Sequence, residues 1–247
     1  MIGVVIPAHN EEVTLPACLS SVLAAAARIA TTGETVEVVV ALDHCTDGSA
    51  DVVSQFPVTA LPIRARNVGI ARHCAALYLL ERGARWLAFT DADTTVDAAW
   101  LYEQVALRAS VVCGTVCIDR WDTALRAVQD CYSALYSDED GHRHIHGANF
   151  GIDAKVYAEM GGFPPLPTDE DRTFVEALER AGVAIAWSAR PRVWTSGRLI
   201  NRVQGGFGGY LRKLCAALPG GPVGDEATPL DLASEAVGEI PISLRAG

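Results

Sequence analysis

The sequence specifies an α/β fold: one Rossmann-like domain with a central, mainly parallel sheet flanked by helices. Three observations carry this expectation. Residues 2–6, 36–42 and 86–90 are almost unbroken apolar runs, as expected of strands covered on both faces, which have no reason to alternate. Between them lie helical patterns, and strands joined by such crossovers run parallel with a right-handed connection. The chain has 247 residues, half of them hydrophobic, which is enough for one core.

Taken in order, residues 2–6 form a strand that stops at Pro7, and Ala8-His9-Asn10-Glu11-Glu12 is a polar loop. Leu15, Leu19, Val22, Leu23 and Ala26 then recur at helical spacing, with Pro16 tolerable only in the first turn. Residues 36–42 are the second strand. The loop Asp43-His44-Cys45-Thr46-Asp47-Gly48-Ser49 follows, and Asp47 caps a helix carrying Val52 and Val53. A third strand over 57–63 precedes Arg64-Ala65-Arg66-Asn67 and a helix near 70–82. Trp86-Leu87-Ala88-Phe89 is the central strand, and a helix over 98–108 comes next. The second half is less regular: a strand near 111–118, a long helix near 122–135, a helix after Thr168 with Phe174, Ala177, Leu178 and Ala181 as its buried stripe, and a strand near 183–187. The domain is expected to span 1–218, leaving 219–247 as a loosely held polar tail.

The net charge of −10 argues against a nucleic-acid surface. Seven scattered cysteines without a C-x-x-C pair indicate a reducing compartment, the cytoplasm, and not a disulfide framework. No secretory signal follows Met1, and no apolar stretch reaches the roughly 20 residues of a membrane span. Peripheral association stays open.

The chemistry concentrates at the end of the fourth strand. Side chains alternate along an extended segment, so Asp91 and Asp93 can offer two carboxylates in one direction, at the strand ends where open α/β sheets bind ligands. Such oxygen donors suit Mg²⁺ or Mn²⁺ sharing its coordination with water and substrate phosphates. Capping of the next helix by Thr94, Thr95 and Asp97 is the competing reading. After the first strand Pro7-Ala8-His9-Asn10-Glu11-Glu12 stands where a dinucleotide-binding enzyme would carry G-x-G-x-x-G, and the P-loop pattern is absent.

Five motifs in order carry a resemblance. V-V-I-P-A-H-N-E-E, L-D-H-C-T-D-G-S, R-N-V-G-I-A-R, D-A-D, and G-G-F followed by T-D-E-D resemble a glycosyltransferase of family 2 over roughly residues 1–210. The resemblance implies a GT-A fold, a nucleotide-diphospho-sugar donor (UDP- or GDP-linked), a divalent metal, and inverting transfer to a hydroxyl acceptor. It places Pro7, Ala8, Asn10, Glu11, Asp91 and Ala92 at the nucleotide sugar, Asp43 at the base, Arg72 near the diphosphate, and Asp91 and Asp93 on the metal. His44 and His73 stand where the family has glycine and asparagine, which puts donor details in question.

Asp171 falls where the family keeps its catalytic base. It lies three residues before Phe174 and seven before Leu178, on the core-facing stripe; a capping box from Thr168 is compatible with the same spacing. Glu170 then orients Asp171 or binds acceptor hydroxyls. His146 and Asn149 fall in the acceptor segment, while Arg198 and Arg202 either supply positive charge to the diphosphate or are solvated. His142, His144 and His146 share one face if extended, and a zinc site is the minor reading of them. Trp100, Trp121, Tyr132 and Tyr136 read as core or as acceptor-stacking residues. A sugar-nucleotide pyrophosphorylase and a non-catalytic nucleotide-binding module are the alternatives.

Overall fold

The computed structural model describes residues 1–120 and 136–196. One eight-stranded sheet runs in the order β3-β2-β1-β4-β7-β6-β8-β5. Strands β1 (Ile2–Ala8), β2 (Val36–Asp43), β3 (Thr59–Ile63) and β4 (Trp86–Phe89) are mutually parallel. β7 (Phe150–Asp153) runs antiparallel between β4 and β6 (Val111–Arg120); β6 is parallel to β8 (Ile185–Ser196), and β5 (Thr94–Val96) is antiparallel to β8. The expectation of a mainly parallel sheet flanked by helices is met.

Alternation sorts the strand residues onto two cores. Val4, Ile6, Val38, Val40, Trp86 and Ala88 belong to one apolar cluster, together with residues of α1 (Leu15–Ala30), α2 (Ser49–Val53) and α4 (Trp100–Ala106). Val5, Val39, Leu87 and Phe89 belong to the other, with α3 (Val68–Glu81), α5 (Ala154–Glu159) and α6 (Glu170–Arg180).

Several boundaries differ from expectation. β1 continues through Pro7 to Ala8, with Pro7 opposite Ala41. Ile2 donates to the β2 side, so the nitrogen of Pro7, an odd number of residues on, faces β4. That strand's pairing has already ended at Val5 opposite Phe89, and the missing donor is harmless there. α3 begins earlier than expected because the Asn67 side chain accepts from the Ile70 amide. The helix expected over 98–108 is the shorter α4. Thr94 and Thr95, its caps in the competing reading, instead form β5 with Val96, while Asp97 accepts from the Ala99 amide at 2.6 Å. The strand expected at 183–187 extends to Ser196 because a register shift between Gly114 and Thr115 of β6 absorbs the stretch around Pro191. The expected helix over 122–135, Trp121, Tyr132, Arg198, Arg202, the domain boundary at 218 and the tail 219–247 lie outside the described residues.

Candidate active site

Because β1 to β4 are parallel, their carboxyl ends and the loops that follow them, 9–14, 44–48, 64–67 and 90–93, gather on one edge of the sheet. The first two loops are zipped together. The Glu12 amide donates to Asp47, the Gly48 amide to Glu12, the Thr46 amide to Asn10 Oδ1 and the Glu11 amide to Ser49 Oγ, at 3.1, 2.7, 2.7 and 2.8 Å. Asn10 holds this junction with a left-handed backbone, φ 57°. Pro7 and Ala8 form a buried floor beneath it. The Glu11 carboxylate accepts from the Thr14 hydroxyl at 2.6 Å. Asp47, expected to cap α2, accepts from the Ser49 amide at 3.0 Å, while the N-cap position itself is Gly48.

Asp43 departs from its expected role. It is buried, and its carboxylate accepts three backbone N–H groups, from Ala65, Arg66 and Asn67, at 2.8, 2.9 and 2.8 Å. About three of its four acceptor positions are thereby taken. It clasps the loop between β3 and α3 instead of standing open as a base-reading acid. The neighbouring side chains at this rim are His44 and Arg66, in contact at 2.6 Å and both with left-handed backbones.

Arg72, expected near the diphosphate, is 3% exposed and lies beside Asp91. One terminal nitrogen lies 2.5 Å from Asp91 Oδ1 and the other pairs with Glu170. Glu170 is a buried counter-ion of Arg72. Asp91 remains about a third exposed. Ala92 is buried in the core, and Asp93 accepts weakly from the Thr94 hydroxyl at 3.4 Å.

Asp171 lies in the first turn of α6, half-buried, with Phe174 and Leu178 buried further along the helix as expected. Its Oδ2 accepts from the Gly147 amide at 2.7 Å and its Oδ1 from the Arg172 amide at 2.8 Å. The capping box from Thr168 is not formed: Asp169 is the N-cap residue, with φ 59° and no side-chain cap.

Asn149, expected at the acceptor, is instead a structural residue. It is fully buried, donates to the carbonyls of Thr115 and Pro191 at 2.7 and 2.8 Å, and accepts from Trp100 Nε1 at 2.9 Å. It thus stitches the β6–β8 register shift, and Gly114 makes room for it, since a Cβ there would collide with the Asn149 carboxamide. Trp100 is core. His146 is half-buried and contacts the Tyr136 hydroxyl at 3.1 Å.

The three histidines do share a face, but as a stack. Tyr136 lies on His144 at 3.9 Å, with His142 and His146 at 5.3 and 6.0 Å from His144. Near-parallel rings pack on one another rather than converging their nitrogens. Desolvation, then the charge of His144, pushes the His142 pKa down to about 4; desolvation and the two neighbouring histidines push His146 down to about 3.

Among the described residues no group of three or more His, Cys, Asp or Glu side chains could hold a metal ion. Asp91, a third exposed, and Asp93 are the acids that follow β4. Two hard carboxylates fit a divalent ion that completes its shell with water and a substrate's phosphates.

A sheet of this topology is of GT-A type. The profile of glycosyl transferase family 2 matches residues 3–160, and the chain belongs to that family. No curated protein sequence matches it. Among solved structures, TarS of S. aureus is 15% identical with a TM-score of 0.59, over 79% of this chain and 36% of that one. Its fragment 1–349 in complex with UDP-GlcNAc is 15% identical with a TM-score of 0.60, over 95% and 70% of the two chains. Glucosyl-3-phosphoglycerate synthase from Mycobacterium tuberculosis, in complex with Mn²⁺, UDP and glucosyl-3-phosphoglycerate, is 17% identical with a TM-score of 0.52, over 76% and 68%. At these identities the likeness is one of fold. The chain spans about a third of the longer TarS chain and under two thirds of the 1–349 fragment in its UDP complex. Among the described residues no helix is long and apolar enough to cross a membrane.

Proposed function

We propose that the chain transfers a sugar from a uridine-diphosphate donor to a hydroxyl acceptor, with a divalent metal and with inversion at the anomeric carbon. The observation that carries this reading is that Asp91, at the end of β4, pairs with the buried guanidinium of Arg72, which lies against Gly147, whose amide donates to Asp171. The structural relatives in complex with UDP, with UDP-GlcNAc and with Mn²⁺ and UDP support a uridine donor.

In this reading the loops after β1 and β2 seat the nucleoside, and His44 and Arg66 border the base. Asp93 and Asp91 hold the metal, which when bound supplies a Lewis acid for charge on the departing diphosphate. Asp171 accepts the proton of the acceptor hydroxyl while that oxygen bonds to the anomeric carbon and the bond from that carbon to the diphosphate oxygen breaks. The Gly147 and Arg172 amides fix both oxygens of Asp171, so its carboxylate is oriented before the acceptor arrives. A single displacement of this kind inverts the centre.

A thermal-shift screen of UDP-, GDP- and dTDP-sugars with and without Mn²⁺ tests the reading. Stabilisation is expected from the UDP compounds only with metal, and Asp93→Ala abolishes it. Asp171→Asn keeps nucleotide binding and loses turnover by roughly 10²- to 10⁴-fold, the usual worth of a general base. Unimpaired turnover in Asp171→Asn removes the base assignment.

A further inference from the structure

Resting on the reading just given, we infer that Arg72 is a positioning residue, an internal strut that sets the donor-side acid Asp91 and the base Asp171 relative to one another. Its guanidinium joins the two sides by side-chain ion pairs to Asp91, in the loop after β4, and Glu170, in the first turn of α6. The third contact is steric. A Cβ on Gly147 would fall onto the Arg72 guanidinium, so the Gly147 backbone lies flat against it, and that backbone donates to Asp171. The Phe163 ring backs the guanidinium at 5.6 Å. Arg72 Nε has no hydrogen-bond partner, so the polar contacts of the planar group are made by its two terminal nitrogens.

The consequence is mechanical. Asp91 cannot shift without moving the guanidinium, and the guanidinium cannot shift without displacing Gly147, whose amide aims Asp171. Arginine is suited to this because its fork is rigid and stays charged when buried. The strut couples the site that would hold the diphosphate to the base, so that seating of the donor and aim of the base are set by one side chain.

The informative variant is R72M/E170Q. It removes one cation and one anion together, leaving the net charge of the cluster unchanged, and Asp91 is a third exposed and can be solvated. Two readouts on the full chain are compared with wild type: hydrogen exchange of the Gly147 amide relative to core amides of β1, and calorimetric titration with UDP and Mn²⁺. The strut requires Gly147 to exchange at least about tenfold faster while the β1 amides do not, and UDP–Mn²⁺ binding to weaken about tenfold or more, as when the partner orienting a metal-site acid is lost. A merely structural role would move the Gly147 and β1 amides together. Wild-type exchange at Gly147 with Arg72 removed overturns the inference. If UDP with Mn²⁺ fails to bind wild type, the proposed function is contradicted, and the exchange readout, which needs no ligand, still decides the strut. Should R72M/E170Q not fold, Arg72→Lys carries the same two measurements, because lysine keeps the charge and lacks the fork.

Discussion

Asn149 and Arg72 show how a polar side chain can be spent entirely inside the molecule. Replacing Asn149 with alanine leaves Trp100 Nε1 and two buried carbonyls without partners. An unsatisfied buried group costs about 1–3 kcal/mol, so Asn149→Ala is expected to lower the stability by about 3 kcal/mol or more in urea unfolding; a loss near zero would mean that water reaches the carboxamide. In the sequence both residues resembled pocket residues, and nothing local could have corrected that. The partners of Asn149 lie 34, 42 and 49 positions away, and those of Arg72 lie 19 and 98 away. The face of Asp171 on α6 followed from helical spacing while its role came from the family resemblance, and Asp91 and Asp93 stood out because they follow an apolar strand.

At the level of elements, the parallel half was readable because buried strands and amphipathic helices leave periodic patterns. β5, β7 and α5 were not foreseen: they are three, four and six residues long, too short for a period to show. The sequence pattern of β8 breaks off before its end because Arg190, Pro191 and Arg192 interrupt it, and the register shift against β6 accommodates them. The histidine stack between Tyr136 and the Gly147 turn is a further element with a measurable consequence. His142 and His146 have folded-state pKa values of about 4 and 3 against 6.5 unfolded. Above pH 6.5 they are neutral in both states. Below it the unfolded chain binds protons that the folded chain refuses, so stability falls from about pH 6.5 down to about pH 3. Thermal unfolding across this range should show the decline, and His142→Asn, whose Oδ1 can replace Nδ1 as acceptor for the His144 amide, should flatten it. An unchanged slope in that variant would show that His142 is not protonated on unfolding.

On the scale of the whole molecule, four parallel strands set their carboxyl ends along one edge, and the two cores hold that edge rigid from both faces. The loops on it are tied to one another by side chain to backbone hydrogen bonds, so the site is largely built before a ligand arrives. An acidic chain, −10 overall, would repel a nucleoside diphosphate if charge were the only consideration, and binding is accordingly expected to require a divalent cation at that edge. The most direct measurement is a crystal structure of the chain grown with UDP and Mn²⁺. The diphosphate and the ion are expected at Asp93 and Asp91, between the ends of β1, β2 and β4, with Arg72 still joining Asp91 to Glu170. Nucleotide bound elsewhere, with Asp91 and Asp93 contacting only protein, would contradict the account.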